Sequence, residues 1–330
     1  MKQTYTFNNV YLSNTATIIS PNEAKSIIAP YVDLIMEDIY FKEKSFEKAE
    51  IKIQTTLIDL IKTKQSMCEF NFDFLINGDL NNQEIVSTYA LKNYEIPSFS
   101  VFGACSNYTL SILVASLMME NNNINNVLTM VSSHNLTAER TFRSPVEYGG
   151  FKESTQTFTT TGGSICHLSK KKSDVKIKSA TMGMVVDIQN SNVNDMGSAM
   201  APAAIETLLT HFTELNLHPK DYDLILTGDL SRIGKSIVRD FLIEKYNYAK
   251  NYDDCGSIIT DAFNNKTFQG GSGCACSGVV VSSYIYNKLK NKELKNVLVV
   301  ATGALMNQTM MLQKESIPVI AHAISLQGVE

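Results

Sequence analysis

Two stretches of this 330-residue chain, "TLSILVASLMM" (109–119) and "VVVSSYIY" (279–286), limit its fold more than any other feature. At helical spacing neither has a polar face, and a helix apolar all round must be buried on all sides. Both also occupy the same place in an internal repeat. "DFLINGDL" (73–80) returns as "DLILTGDL" (223–230), "NNVLTMVSS" (125–133) as "KNVLVVATG" (295–303), and "SICHLS" (164–169) as "VIAHAIS" (319–325). The copies are offset by roughly 150, 170 and 155 residues, so the halves share an order and differ in loop length.

Each half alternates helical and extended patterns. The first reads as a helix over 46–64, a strand over 72–77, a helix over 84–93 and a strand over 98–102. The buried helix 105–120 and strands over 127–131 and 163–169 complete it. The second reads as a strand over 175–186, a helix with Pro202 near its start, a strand over 223–227 and a helix over 237–245. An extended stretch near Asp254, the buried helix 275–290 and strands over 296–301 and 317–326 follow. Such alternation predicts α/β layers with mostly parallel strands. Two buried helices need a sheet on either side, and each sheet needs cover outside. The expected fold is a five-layer α-β-α-β-α sandwich of two similar halves, 1–172 and 173–330, in one compact unit.

Composition narrows the function. The net charge of −4 lacks the basic stripe of a nucleic-acid binder. Lys170, Lys171 and Lys172 read as a solvated turn. No secretory signal is expected at the start, and no apolar run approaches the ~20 residues that cross a bilayer. With no signal, six cysteines do not predict a disulfide scaffold. Cys274 and Cys276, in "GGSGCACSG" (270–278), lack the second ligand pair of a zinc site, so no metal ligands are expected. Cys166 and Cys68 read as packing residues. The aspartates of the two "GDL" motifs, Asp79 and Asp229, read as turn and helix-cap residues.

Cys105, in "FGACSNYT" (102–109), opens the first buried helix. A helix N-terminus lowers a thiol pKa and attracts anions. Residues alone leave three readings: nucleophile, pocket wall or small core residue. In "SSHNLTAERTFRSPVEYGG" (132–150), Arg140 and Arg143 could clamp a carboxylate, or pair with Glu139 and Glu147 in a charged loop.

The duplicated layout, "FGACSNYT" and "GGSGCACSG" resemble the thiolase and ketoacyl-synthase superfamily. More specifically, the 132–150 block, "DMGSAMAPAA" (195–204), "LILTGDLS" (224–231), "GGSGCACSG" and the run from "NVLVVATGAL" to "QKESIPVIAH" (296–322) resemble the stage V sporulation protein AD family of endospore formers. That resemblance implies a thiolase-fold protein that binds dipicolinic acid, a pyridine dicarboxylate. It also implies action with membrane proteins of the SpoVA group in moving the acid, with calcium, into the developing spore at its inner membrane. It carries the pocket onto Cys105, Asp254 and Cys255, with Ser106, Gly273, Cys274 and Cys276 beside them. No cofactor is implied beyond the ligand and its calcium. Related folds self-associate through an edge strand, matched here by residues 96–102. Ketoacyl synthases add a second-half His and an Asn or His. Those motifs fall here on "LTGDLSR" (226–232), which has no His, and on "DDCGSII" (253–259). The expectation is therefore a binding protein with no catalytic residues. The alternatives are an acyltransferase that uses Cys105 and a structural subunit with a vestigial pocket. Asp254 is expected either to touch calcium or, protonated, to hydrogen-bond the ligand. For Cys274 and Cys276, helix-cap packing and pocket lining stand equally open.

Overall fold

The computed structural model describes residues 2–65, 71–121, 123–142, 153–260 and 269–329. Ten strands carry the repeat. In the first half they are β1 (Tyr11–Ile19), β2 (Phe74–Gly78), β3 (Ser98–Ser100), β4 (Asn126–Ser133) and β5 (Gly162–Ser169). In the second they are β6 (Val175–Thr181), β7 (Leu224–Thr227), β8 (Tyr252–Asp254), β9 (Asn296–Ala304) and β10 (Val319–Gly328). The spatial order is β3-β2-β4-β5-β1 in one half and β8-β7-β9-β10-β6 in the other. Chain order maps onto position identically in both. The two sheets meet where Tyr11 and Leu12 pair with Lys176 and Val175.

Helices fill the remaining layers. α1 (Phe46–Lys64) and α2 (Ile85–Leu91) cover the outer face of the first sheet. Ser45 caps α1 by accepting from the Lys48 N–H. Ile53, Leu57, Ile58 and Ile61 of α1 pack with Leu75, Leu128 and Ile165 from the strands beneath. α5 (Met196–Leu215) and α6 (Ser231–Tyr246) do the same for the second sheet. Between the sheets lie α3 (Asn107–Asn121) and α8 (Cys274–Val280). α8 runs through a π turn, Val281–Ile285, into α9 (Tyr286–Lys290). α3 touches strands of both sheets and α8 itself. The five-layer sandwich is as expected, and the two apolar stretches form its middle layer.

Several details differ from the sequence reading. The strands are mixed rather than mostly parallel: β2 pairs in parallel with β3 and β4, and β7 with β8 and β9, whereas β5 and β10 run antiparallel to both their neighbours. β6 ends at Thr181; beyond it only Val186 bridges to Val319. α5 starts earlier than Pro202 suggested, because the Asp195 carboxylate accepts from the Ser198 N–H, leaving Pro202 inside the helix. α2 starts at Ile85, after Gln83 and Glu84 adopt left-handed φ values of 61° and 52°. α7 (Cys255–Thr260) was not foreseen. α4 (Asn135–Phe142) follows β4. Among the described residues no helix is long and apolar enough to cross a membrane.

Candidate functional site

A 3-10 turn, Ala104–Ser106, delivers Cys105 to the head of α3. Ala104 takes a left-handed φ of 51°, a costly conformation for a residue with a Cβ. Side-chain bonds hold the turn in place. Asn107 Oδ1 accepts from the Gly103 N–H at 2.5 Å, its Nδ2 donates to the Asp79 carbonyl at 3.0 Å, and Ser106 Oγ donates to the Gly103 carbonyl at 2.6 Å. The first "GDL" loop thus supports the turn. Within that loop, Asp79 accepts from the Asn81 and Ser87 N–H groups, and Glu84 Oε2 accepts from the Asp79 N–H at 2.6 Å.

In front of Cys105 lies a pocket of about 230 Å³. The first half contributes Leu80, Asn82, Gln83, Phe102, Ala104, Thr141, Phe142 and Thr159. The second contributes Met196, Ser272 and the segment Ala304, Leu305, Met306, Asn307. The described lining holds amides, hydroxyls, one thiol and apolar side chains. It includes no Lys, Arg or His.

The floor behind Cys105 is acidic. Asp229, from the second "GDL" loop, is buried beside the Cys105 thiol. Thr302 Oγ1 donates to its Oδ1 at 2.6 Å; Ser272 Oγ and the Gly273 N–H donate to its Oδ2 at 3.3 and 3.2 Å. Gly273 holds φ at 96°, which a side chain would resist, and this aims its N–H at Asp229. Burial first, and the Asp229 charge second, push the Cys105 thiol pKa well up. The helix N-terminus does not reverse this, so the thiol keeps its proton. Burial also raises the Asp229 carboxyl.

Of the eight sequence-named candidates that fall among the described residues, only Cys105 lines the pocket. Asp254 points elsewhere. Its Oδ2 accepts from Thr227 Oγ1 at 2.7 Å and the Leu230 N–H at 2.9 Å; its Oδ1 accepts from the Ser231 and Ser257 N–H groups at 2.8 and 3.0 Å. It clamps the starts of α6 and α7, and burial still pushes it up to about 7. Cys255, Cys276 and Ser106 are buried behind the lining. Cys274 is buried too, its thiol donating to the Ser132 carbonyl at 3.0 Å. Gly273 reaches the site only through Asp229. Arg140 pairs with Glu47 at 2.5 Å, half-exposed and off the lining. Arg143, Glu147 and Cys68 lie outside the described residues. The residue that sequence reasoning missed is Asp229, read there as a cap; its available signal was its place in the "LTGDLSR" segment, where ketoacyl synthases carry His.

The five histidines sit elsewhere. His134 bonds the Ile39 carbonyl, His167 bonds Gln65 and Asn126, and His211 bonds Thr181 and Tyr222. His218 caps a short turn, and His322 accepts from the Gly183 N–H. Among the described residues no group of His, Cys, Asp and Glu is arranged to hold a metal ion.

Two sheets of identical strand order around a pair of buried helices, with a cysteine at the mouth of the first, define a thiolase-like protein. Solved structures agree in fold. A 3-oxoacyl-[acyl-carrier-protein] synthase III from Aquifex aeolicus VF5 aligns over 98% of both chains with a TM-score of 0.54 and 13% identity. An OleA variant from Xanthomonas campestris aligns over 98% of this chain and 99% of its own, with a TM-score of 0.60 and 14% identity. Within that class the chain belongs to the stage V sporulation protein AD (SpoVAD) family, whose model matches residues 1–327. It is 41% identical to stage V sporulation protein AD of Bacillus subtilis (strain 168) over 325 residues, covering 98% of this chain and 96% of that one. It is thus a sporulation protein with a thiolase-like fold.

Proposed function

We propose that this protein binds dipicolinic acid in the Cys105 pocket without acting on it, and serves its uptake into the developing spore. The observation that carries the reading is the pairing of Cys105 with Asp229 where a thiolase-type enzyme needs an imidazole. A carboxylate beside a buried thiol disfavours the thiolate that acyl transfer needs, because both would carry negative charge in one dry site. The pocket that remains suits a small planar ligand. Phe102 and Phe142 offer aromatic surface, and Asn82, Gln83, Ser272 and Asn307 offer hydrogen bonds. Calcium would travel with the ligand as its counter-ion. Membrane proteins of the SpoVA group would be the partners at the spore inner membrane, and a second copy of the chain could associate through β3.

Calorimetric titration with dipicolinate tests the binding. Cys105→Ala is expected to weaken it about tenfold or more; an unchanged affinity moves the site elsewhere. Incubation with acyl-CoA followed by intact-mass measurement tests the enzymatic alternative. An unmodified mass is expected, and an acyl adduct on Cys105 would refute the non-catalytic reading.

A further inference from the structure

We infer that binding of a carboxylate ligand in this pocket is coupled to uptake of one proton by the Cys105–Asp229 pair, with Asp229 acting through Cys105 and Ser272 as a positioning residue. This rests on the proposed binding of dipicolinate and adds a mechanism to it. Three observations combine. First, the described pocket lining offers no cationic side chain to balance a carboxylate. Second, Asp229 stands directly behind two lining residues, accepting from Ser272 Oγ at 3.3 Å and acting by its charge on the Cys105 thiol. Third, the titratable groups facing Asp229 are Cys105 from the turn before α3, Asp254 at the end of β8, Cys255 at the head of α7 and Cys276 on α8. Each is a thiol or another acid.

A second carboxylate brought against this floor meets a like charge where little water can screen it. Two carboxylates that share such a site hold a proton between them. The proton comes from solvent and settles on the Asp229 carboxyl, while Cys105 stays a thiol. The O–H bond of the protonated Asp229 carboxyl is the one bond formed, and the bond broken is that of the buffer acid or hydronium that gives up the proton. Burial already lifts the Asp229 carboxyl, which brings this event toward neutral pH. The Thr302 and Gly273 donors hold the carboxyl in place in either state.

The test is calorimetric titration of dipicolinate into the full chain at pH 6 to 8, in buffers of different ionisation enthalpy, which counts protons. The ligand's own carboxyls are ionised across this range. For the unaltered protein, up to one proton is taken up per ligand, and the Kd rises with pH by a factor approaching tenfold per unit. Asp229→Asn should abolish the uptake and flatten the pH dependence. Thr302→Val removes a donor to the Asp229 carboxylate without removing the acid. It should move the pH break upward, a shift that a purely structural role would not produce. Binding without proton uptake, or uptake that persists in Asp229→Asn, overturns the coupling and leaves the binding proposal standing. No binding heat at any pH overturns both.

Discussion

At the residue scale, the site turns on two aspartates that occupy one motif and do different work. Asp79 turns into its own loop, accepting from Asn81 and Ser87. In the second loop the Ser231 N–H, the counterpart of that of Asn81, is taken together with the Leu230 N–H by Asp254 from β8. That substitution frees Asp229 to face Cys105. The repeated "GDL" was legible in the sequence; this division of labour was not, because it depends on a donor count across three elements. Two expectations follow. Asp229→Asn removes the charge that holds the Cys105 proton, so alkylation of Cys105 by iodoacetamide, followed by peptide mass spectrometry at pH 8, should run several-fold faster. An unchanged rate would detach Asp229 from the thiol. Asp254→Ala strands four buried donors, at roughly 1–3 kcal/mol for each left unsatisfied. Its unfolding free energy from chemical denaturation should fall by about 3 kcal/mol or more, and a neutral result would contradict the clamp geometry.

At the element scale, the sequence revealed most where burial was extreme. The central helices were legible because a stretch apolar on every face has one kind of home. The start of α5 was not, since Pro202 outweighed the Asp195 cap as a local signal although Asp195 makes the bond. α7 escaped because its six residues carry too little periodicity, and tertiary contacts decide it. The crossing of α5 and α6 depends on two glycines. A methyl on Gly234 would sit 2.5 Å from the Gly197 carbonyl oxygen, and one on Gly197 would sit 2.6 Å from the Leu230 carbonyl oxygen. Gly234→Ala should therefore cost about 1–3 kcal/mol through overpacking, despite the better helix propensity of alanine. Chemical denaturation checks this, and a gain in stability would show that the helices separate easily.

At the scale of the whole molecule, the fold buries acids and histidines with opposite consequences for pH. Burial lifts Glu23 and Asp254 to about 7, Glu50 to about 8 and Glu84 to about 9. In the unfolded chain carboxyls titrate near 4. The native state therefore holds protons that the unfolded state releases, and this stabilisation is complete below pH ~4 and lost as pH rises through the folded values. Burial lowers His167, His211 and His322 to about 4, so their neutral native forms lose stability only below pH ~6.5. From pH ~6.5 to ~8 the acids set the slope, and above pH ~8 the buried thiols, raised by the same burial, add to it in the same direction. The thermal midpoint should fall from pH 6.5 to 9, and less steeply in Glu50→Gln; a midpoint that rises over this range would contradict the buried-acid account. The most direct test of the central claim is a crystal structure of the protein grown with dipicolinate. The account predicts the pyridine ring in the pocket, against Phe102 and the unmodified Cys105 thiol, with its carboxylates among Asn82, Gln83, Ser272 and Asn307. A ligand bound elsewhere while this pocket stays empty, or a covalent adduct on Cys105, would contradict it.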